Sequence, residues 1–313
     1  MLSYVFLGTP DFAVRVVEGL VAAGLSPLAI VTQPAKPSGR GRRVEPSAVE
    51  TWARAHGIAV HAVVNANAPE VIDRLRALSP DLILVAAFGQ ILREELLGLP
   101  RKGCLNVHGS LLPKYRGAAP VHRAIWNGDT ETGITIQKMA RKLDTGDTLV
   151  QRRTAIGPDE TSGELMGRLA VLGGECLAEA VSLIESGSAR FTPQDEKLAT
   201  YAAKISKDDA AIDWQRPAAA IGNQIRALNP WPVAEGRLGG VRLKLFRATP
   251  AEWPGAASAP AGSIWTDGRE RLAVRCEPGA LSLTELQLEN RKRLGIREFL
   301  SAYRGSFPHP GMG

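Results

Sequence analysis

Asn106 and His108 stand two residues apart in the stretch GCLNVHGSLLPKYRGAAP, residues 103–120. Leu105 and Val107 alternate with them, so a short strand would turn two apolar side chains to one face and the amide and imidazole to the other. Gly109 and Ser110 then break the strand. Leu111, Leu112 and Pro113 make an apolar bend, followed by Lys114, Tyr115, Arg116 and Gly117. The amide offers two N–H donors without charge. The imidazole takes up and releases a proton near neutral pH. Side by side at a strand end they cost stability unless partnered, and strand ends of parallel sheets commonly hold active sites. Taken alone, Asn-x-His is a weak signal, because an Asn or His near a strand end is usually a satisfied structural group. Asp144, in LDTGD at 143–147, by itself reads as a turn residue.

The elements that would position these groups form an alternating pattern. Residues 4–7 are a short apolar run ending at Gly8, and Thr9, Pro10 and Asp11 start a helix. Phe12, Val16 and Leu20, with Ala13, Val17 and Val21, keep helical spacing up to Gly24. A strand at 28–32 completes a βαβ unit, which implies a parallel sheet with a right-handed crossover. The dinucleotide fingerprint G-x-G-x-x-G is absent. Residues 81–88, DLILVAAF, suit a central strand buried on both faces. A short helix at 90–97, the strand around Leu105, a helix at 118–127, strands at 133–139 and 148–153, and a long helix at 161–186 follow. Residues 192–206 lack periodicity. Beyond 213 one helix, at 218–228, precedes short β-like runs between Gly and Pro turns, the pattern of a small barrel. The segment from 290, RKRLGIREFLSAY, reads as a closing helix.

The 313 residues suit two domains, with 44% hydrophobic and 22% charged residues enough for packed cores. No apolar run reaches the ~20 residues of a membrane span, and the first strand is too short for a signal segment, so a cytoplasmic protein is expected. The net charge of +6 permits an anionic partner without requiring one. Cys104, Cys176 and Cys276 form no metal-type pair, and the five histidines show no H-E-x-x-H spacing, so neither disulfides nor a metal site is expected. Residues 33–47, QPAKPSGRGRRVEPS, form a loop of Pro, Gly and Ser that carries Lys36, Arg40, Arg42 and Arg43 against one acid, Glu45. Such long loops are often functional, although a solvated surface loop has the same composition.

NVHGSLLPKYRGAAP followed by KLDTGD resembles the folate-dependent formyltransferases. FLGTPDFAV at 6–14, TQPAKPSGRG at 32–41, ETGITIQKM at 131–139 and ALNPWPVA at 227–234 extend the resemblance over nearly the whole chain. It implies a Rossmann-like α/β domain with a mostly parallel sheet at 1–189, a linker at 190–206, and an OB-like β-barrel domain at 207–313 that binds tRNA. It implies formyl transfer from 10-formyltetrahydrofolate to the free amino group of initiator methionyl-tRNA, giving N-formylmethionyl-tRNA for translation initiation, by a monomeric enzyme that uses no metal. That reaction is an acyl transfer between nitrogens, needing donors for an oxyanion and a group that moves a proton. The resemblance assigns those tasks to Asn106, His108 and Asp144, with the carboxylate beside the imidazole. It places the pterin against Phe88, Gly89, Gln90 and Ile91 and against Ser110, Leu111, Leu112 and Pro113. Phe88 departs from the tyrosine common in the family, so a hydroxyl contact is missing there. On the tRNA it implies Lys36, Arg40, Arg42 and Arg43, with Arg40 the residue that senses the end of the acceptor stem. Arg291, Lys292 and Arg293 are a second basic cluster, suited to phosphates. Two alternatives share the scaffold: a formyltransferase acting on a small amine such as a nucleotide sugar, and a nucleic-acid-binding module without activity. GRGRR favours tRNA over the first, and the intact Asn, His and Asp argue against the second.

Overall fold

The computed structural model describes residues 1–38, 43–238, 240–255 and 258–303. It divides into two compact units. The first comprises Met1–Pro120, Thr132–Ala155 and Met166–Ala202; the second comprises Val121–Glu131, Ile156–Leu165 and Ala203–Gly313.

In chain order the elements up to the second sheet are β1 (Tyr4–Gly8), α1 (Asp11–Ala22), β2 (Ala29–Thr32), β3 (Lys36–Ser38), β4 (Arg43–Glu45), α2 (Ala48–Ala55), β5 (Val60–Ala62), α3 (Pro69–Ala77), β6 (Leu82–Ala86), α4 (Glu94–Leu97), β7 (Cys104–His108), β8 (Arg116–Gly117), α5 (Pro120–Trp126), β9 (Glu131–Lys138), β10 (Thr148–Ala155), α6 (Ser162–Glu185) and β11 (Tyr201–Ala202). The main sheet of the first unit runs β10-β9-β7-β6-β1-β2-β5. Its five strands from β7 to β5 are parallel, and β9 joins β7 antiparallel. All five residues of β1 and of β6 are buried, as their unbroken apolar runs require of central strands. On α1 the inward stripe is Ala13, Val16, Val17 and Leu20. Val5, Leu7, Val31, Ile83 and Val85, two apart along their strands, share one core with Phe88 and Cys104.

Two segments depart from the sequence reading. The loop at 33–47 contains a small hairpin, with Lys36 opposite Glu45 and Ser38 opposite Arg43 in β3 and β4. A three-residue strand is too short to show periodicity, which is why composition alone gave a loop. Residues in the expected linker are fastened to the first unit: β11 pairs with β8, and Thr192 bridges Thr148.

The second unit continues with α7 (Ala218–Ala227), β12 (Ala234–Leu238), β13 (Val241–Ala251), β14 (Ile264–Thr266), β15 (Leu272–Arg275), β16 (Ala280–Leu288), β17 (Arg293–Gly295) and α8 (Ile296–Ala302). Its strands form one antiparallel sheet ordered β12-β13-β16-β15-β14, with β17 on β16. A register shift around Arg247 marks a bulge in β13 and bends the sheet, in keeping with the barrel-like domain expected. The closing helix is shorter than the sequence suggested. Leu294 pairs with Leu286 across β17 and β16, and Gly295 starts the helix, so Arg293 lies on a strand.

Candidate active site

The cross-strand register of β7 and β9 builds the site. Asn106 lies opposite Gln137, and His108 opposite Thr135. Residues two apart on a strand share a face, so all four side chains lie on the same side of the sheet. The expected strand therefore does turn Asn106 and His108 together, and β9 adds two polar groups beside them. Asn106 is half-buried and His108 is 5% exposed. Among the described residues no partner is found for the Asn106 side chain, which leaves its amide donors available.

His108 Nε2 lies 2.9 Å from the Tyr115 carbonyl, and Nδ1 lies 3.6 Å from Asp144 Oδ1. The second distance is an ion-pair contact rather than a hydrogen bond. A ring protonated at both nitrogens has an acceptor for each. Asp144, whose side chain is 9% exposed, is held from three directions. The Gly117 amide donates to Oδ2 at 2.9 Å, Gln137 Nε2 donates to Oδ1 at 2.8 Å, and Gln194 Nε2 donates to the Asp144 carbonyl at 2.9 Å. The turn is tight. Asp144 has φ +53°, and a Cβ added at Gly146 would lie 1.6 Å from the Lys138 carbonyl, so only glycine fits there. Gly117 has φ +116°, and a Cβ there would meet the Ala202 carbonyl at 2.7 Å.

The supports of Asp144 come partly from stretches quoted above, Gly117 and Arg116 from 103–120 and Gln137 from ETGITIQKM, and partly from Gln194, in the expected linker. Arg116, 9% exposed, donates Nε and Nη2 to Gln194 Oε1 at 3.1 and 2.9 Å and pairs with Glu196 at 2.7 Å. Its hydrogen bonds to Glu196 raise the guanidinium further above its ordinary value and hold the Glu196 carboxyl below the usual carboxylate range. Thr200 accepts from the Tyr115 amide through Oγ1, at 2.8 Å, and from the Arg116 amide through its carbonyl, also at 2.8 Å. The segment at 194–202 thus fixes the backbone at 115–117, which in turn touches both His108 and Asp144. Gln137, Gln194 and Arg116 are functional candidates that the sequence reading missed. The register of β9 on β7, invisible in one sequence, is the signal that would have found Gln137.

The eight residues expected around the pterin divide by what their side chains already do. Phe88 is 2% exposed and belongs to the core, a burial worth about 1.5–3 kcal/mol. Its carbonyl accepts from Thr9 Oγ1 at 3.1 Å and from Gln33 Nε2 at 2.7 Å. Gln90 ties the strand end to 63–66, accepting from the Ala66 amide and donating to the Val63 and Val64 carbonyls. Ile91, by contrast, is 74% exposed, and Gly89 is exposed beside it. Ser110 is fully buried and donates to the Lys114 carbonyl at 2.6 Å. Leu112 is buried, with Leu111 and Pro113 half-buried. Thr135 fixes this bend, accepting from the Leu112 amide at 3.0 Å and donating to the Ser110 carbonyl at 2.7 Å.

Of the basic residues, Arg40 and Arg42 lie outside the described residues, and Lys36 and Arg43 are described only as backbone in β3 and β4. Arg291 and Lys292 are exposed. Arg293 is committed: it pairs with Glu285 and lies 4.2 Å from the Phe246 ring centroid. Burial pushes the Cys104 thiol up to about 12, and those of Cys176 and Cys276 up to about 11. None of the three is placed as a thiolate nucleophile.

Two family models match the chain: the formyl transferase model over residues 2–181, and the formyl transferase C-terminal domain model over 204–304. The chain belongs to the formyl transferase family. Within that family it stands with proteins such as methionyl-tRNA formyltransferase from Geobacter metallireducens, to which it is 45% identical over 303 residues, covering 97% of this chain and 96% of that one. Among solved structures it is similar in fold to HypX from Aquifex aeolicus in complex with tetrahydrofolic acid, with a TM-score of 0.65 and 18% identity. That match covers 96% of this chain but spans only about half, 47%, of HypX. The sugar 3N-formyl transferase WlaRD, at TM-score 0.67 and 18% identity, matches over 93% of this chain and 99% of its own.

Proposed function

We propose that the chain moves the formyl group of 10-formyltetrahydrofolate to the free amino group of methionyl initiator tRNA, as a monomeric cytoplasmic enzyme without a metal. The observation that carries this reading is the Asp144 carboxylate, fixed by Gly117 and Gln137 and with its backbone carbonyl held by Gln194, 3.6 Å from the buried His108, with Asn106 on the same strand face as His108.

In the reaction the amine nitrogen bonds to the formyl carbon and the carbonyl electron pair moves to oxygen. Asn106 is the uncharged donor for that oxygen, with no charge of its own to desolvate. The attacking nitrogen must then lose a proton, and the folate nitrogen must gain one as its bond to carbon breaks. His108 is the group placed to hand that proton across. Its Nδ1, with the longer of the two contacts, has room for a substrate atom. Asp144, 3.6 Å from Nδ1, orients the ring. Exposed Ile91 and half-buried Leu111 and Pro113 offer apolar surface to the flat pterin, whereas Phe88 and Gln90 act by holding backbone.

The acceptor is the decisive question. Formylation of methionyl initiator tRNA and of a nucleotide-linked amino sugar, measured side by side with the same folate, tests it. Turnover of the tRNA alone is expected. Turnover of the amino sugar alone would replace this reading by the small-amine one. Arg40→Ala is expected to lower the initiator rate and to narrow its advantage over an elongator tRNA, because this residue acts at the stem end.

A further inference from the structure

Gln137 is 2% exposed, and its two amide atoms fare differently. Nε2 donates to Asp144 Oδ1 at 2.8 Å, while Oε1 is buried with no hydrogen-bond partner among the described residues. Turning the amide over would bring carbonyl and carboxylate oxygens together, so the donor must face Asp144. The arrangement is an unfavourable one for a purely structural side chain. An apolar residue of the same length at 137 would bury no orphan carbonyl, whereas Thr135, the neighbouring buried polar side chain on this face of β9, both donates and accepts.

We infer that Gln137 is a positioning residue for the transfer reaction: its amide holds the Asp144 oxygen that faces His108, and folding stability is sacrificed to keep it there. The inference rests on the proposed roles of His108 and Asp144. Geometry supports it independently of any catalytic assignment. Oδ1 is the oxygen 3.6 Å from His108 Nδ1, and Gly117 fixes the other oxygen. The carboxylate is thereby held at both oxygens, and among the described residues Gln137 is the one hydrogen-bond donor to Oδ1, the oxygen that faces the ring. Asn106, directly across in register, stands on the same face, so a carboxylate held this way lies in line with the two other groups proposed to meet the substrate.

Gln137→Met keeps the length and removes the donor. It is expected to lower kcat by ~10- to 100-fold, the scale of one hydrogen bond to a charged group. KM for tRNA and folate should stay within about twofold, and the melting temperature should hold or rise, because the orphan carbonyl goes. A merely structural glutamine would give the opposite pattern, a lower melting temperature with kcat nearly intact. Gln137→Glu supplies a second variant of native shape, in which a carboxylate faces Asp144; a kcat loss at least as large as that of the Met variant is expected. Asp144→Asn and the Asp144→Asn/Gln137→Met double variant complete a cycle. With Asp144→Asn already in place, adding Gln137→Met should alter kcat by less than about twofold, since the two residues act as one unit. A normal kcat in Gln137→Met, or full additivity in the cycle, overturns the inference while leaving the His108 and Asp144 proposal standing. A normal kcat in Asp144→Asn overturns both.

Discussion

Two pairs of ionisable groups in this molecule look alike on paper and differ in burial and in how their partners are held. His108 and Asp144, in the first unit, are 5% and 9% exposed, and the carboxylate receives two hydrogen bonds, from the Gly117 backbone and from the buried Gln137 amide. Arg293 and Glu285, in the second unit, have side chains 39% and 26% exposed, with the guanidinium resting on the Phe246 ring. In the first pair the low-dielectric surroundings make each contact strong and each missing contact costly. In the second pair water competes for both partners, and a long flexible side chain must be ordered to make the contact. The difference separates the proposed site for chemistry, where position is fixed in advance, from a surface pair open to water.

The sharpest way to break that contrast is to remove members of the buried group. Asn106→Ala, His108→Ala and Asp144→Asn are each expected to lower kcat by at least ~100-fold, the scale of losing an oxyanion donor or a proton-transfer group, with the fold retained. Single-turnover formylation with saturating tRNA reads this directly. A near-normal rate in any one variant removes that residue from the site. Gln194→Ala comes next. It frees the Asp144 and Gly146 carbonyls and takes away an acceptor for Arg116. A roughly tenfold fall in kcat is expected, as for one neutral hydrogen bond that fixes a reacting group. An unchanged kcat would mean that Gly117 and Gln137 suffice to hold the carboxylate.

The sequence disclosed the first half of this arrangement and hid the second. Alternation along Cys104–His108 and the continuous apolar run at 82–86 are local signals, and the strands formed where those signals lay. Asn106 and His108 were legible because two residues on one strand necessarily share a face. Gln137 was not, since its place beside Asn106 depends on which residue of β9 pairs with which of β7, a tertiary fact. The 190–206 segment read as a linker because its contacts with the first unit are made by single side chains and a two-residue strand, Tyr201–Ala202. Arg293 read as a free cation in a helix because its partner, Glu285, is eight residues away across a strand pair rather than along a helix.

A third prediction concerns the second unit and is smaller. Thr161 and Glu164 make a reciprocal cap at the start of α6: the Glu164 amide donates to Thr161 Oγ1 at 3.3 Å, and the Thr161 amide donates to Glu164 Oε2 at 2.9 Å. The hydrogen bond from the Thr161 amide, aided by Arg247, holds the Glu164 carboxyl below the usual carboxylate range. Thr161→Ala should cost about 1 kcal/mol in denaturant unfolding at neutral pH. The sign for pH follows from the depressed value. Stabilisation by Glu164 is present above the ordinary glutamate pKa of about 4.3 and is lost as pH falls through the lower folded value. The stability gap between the native chain and Glu164→Gln should therefore narrow below about pH 4. A gap that stayed constant into acid would show that the carboxylate charge plays no part in the cap.

The smallest effect is expected at the exposed pair, and it splits the basic cluster. Arg293→Ala should change stability by less than about 1 kcal/mol, as surface ion pairs do, with part of the loss coming from the Phe246 contact. Its charge is already balanced by Glu285, which leaves little to offer a phosphate. Arg291 and Lys292 are exposed, and among the described residues no acidic partner is found for either side chain. If the cluster meets tRNA, those two carry the contact. Replacing both with alanine should then flatten the dependence of log kcat/KM on log salt by about 1 to 2 units, since each phosphate neutralised contributes just under one unit. Arg293→Ala should leave the slope as it was. Neither change should alter KM for the folate. Equal flattening by Arg293→Ala would show that tRNA outcompetes Glu285 for the guanidinium, and the contrast between a committed and an available cation would then fail at the place where it is easiest to measure.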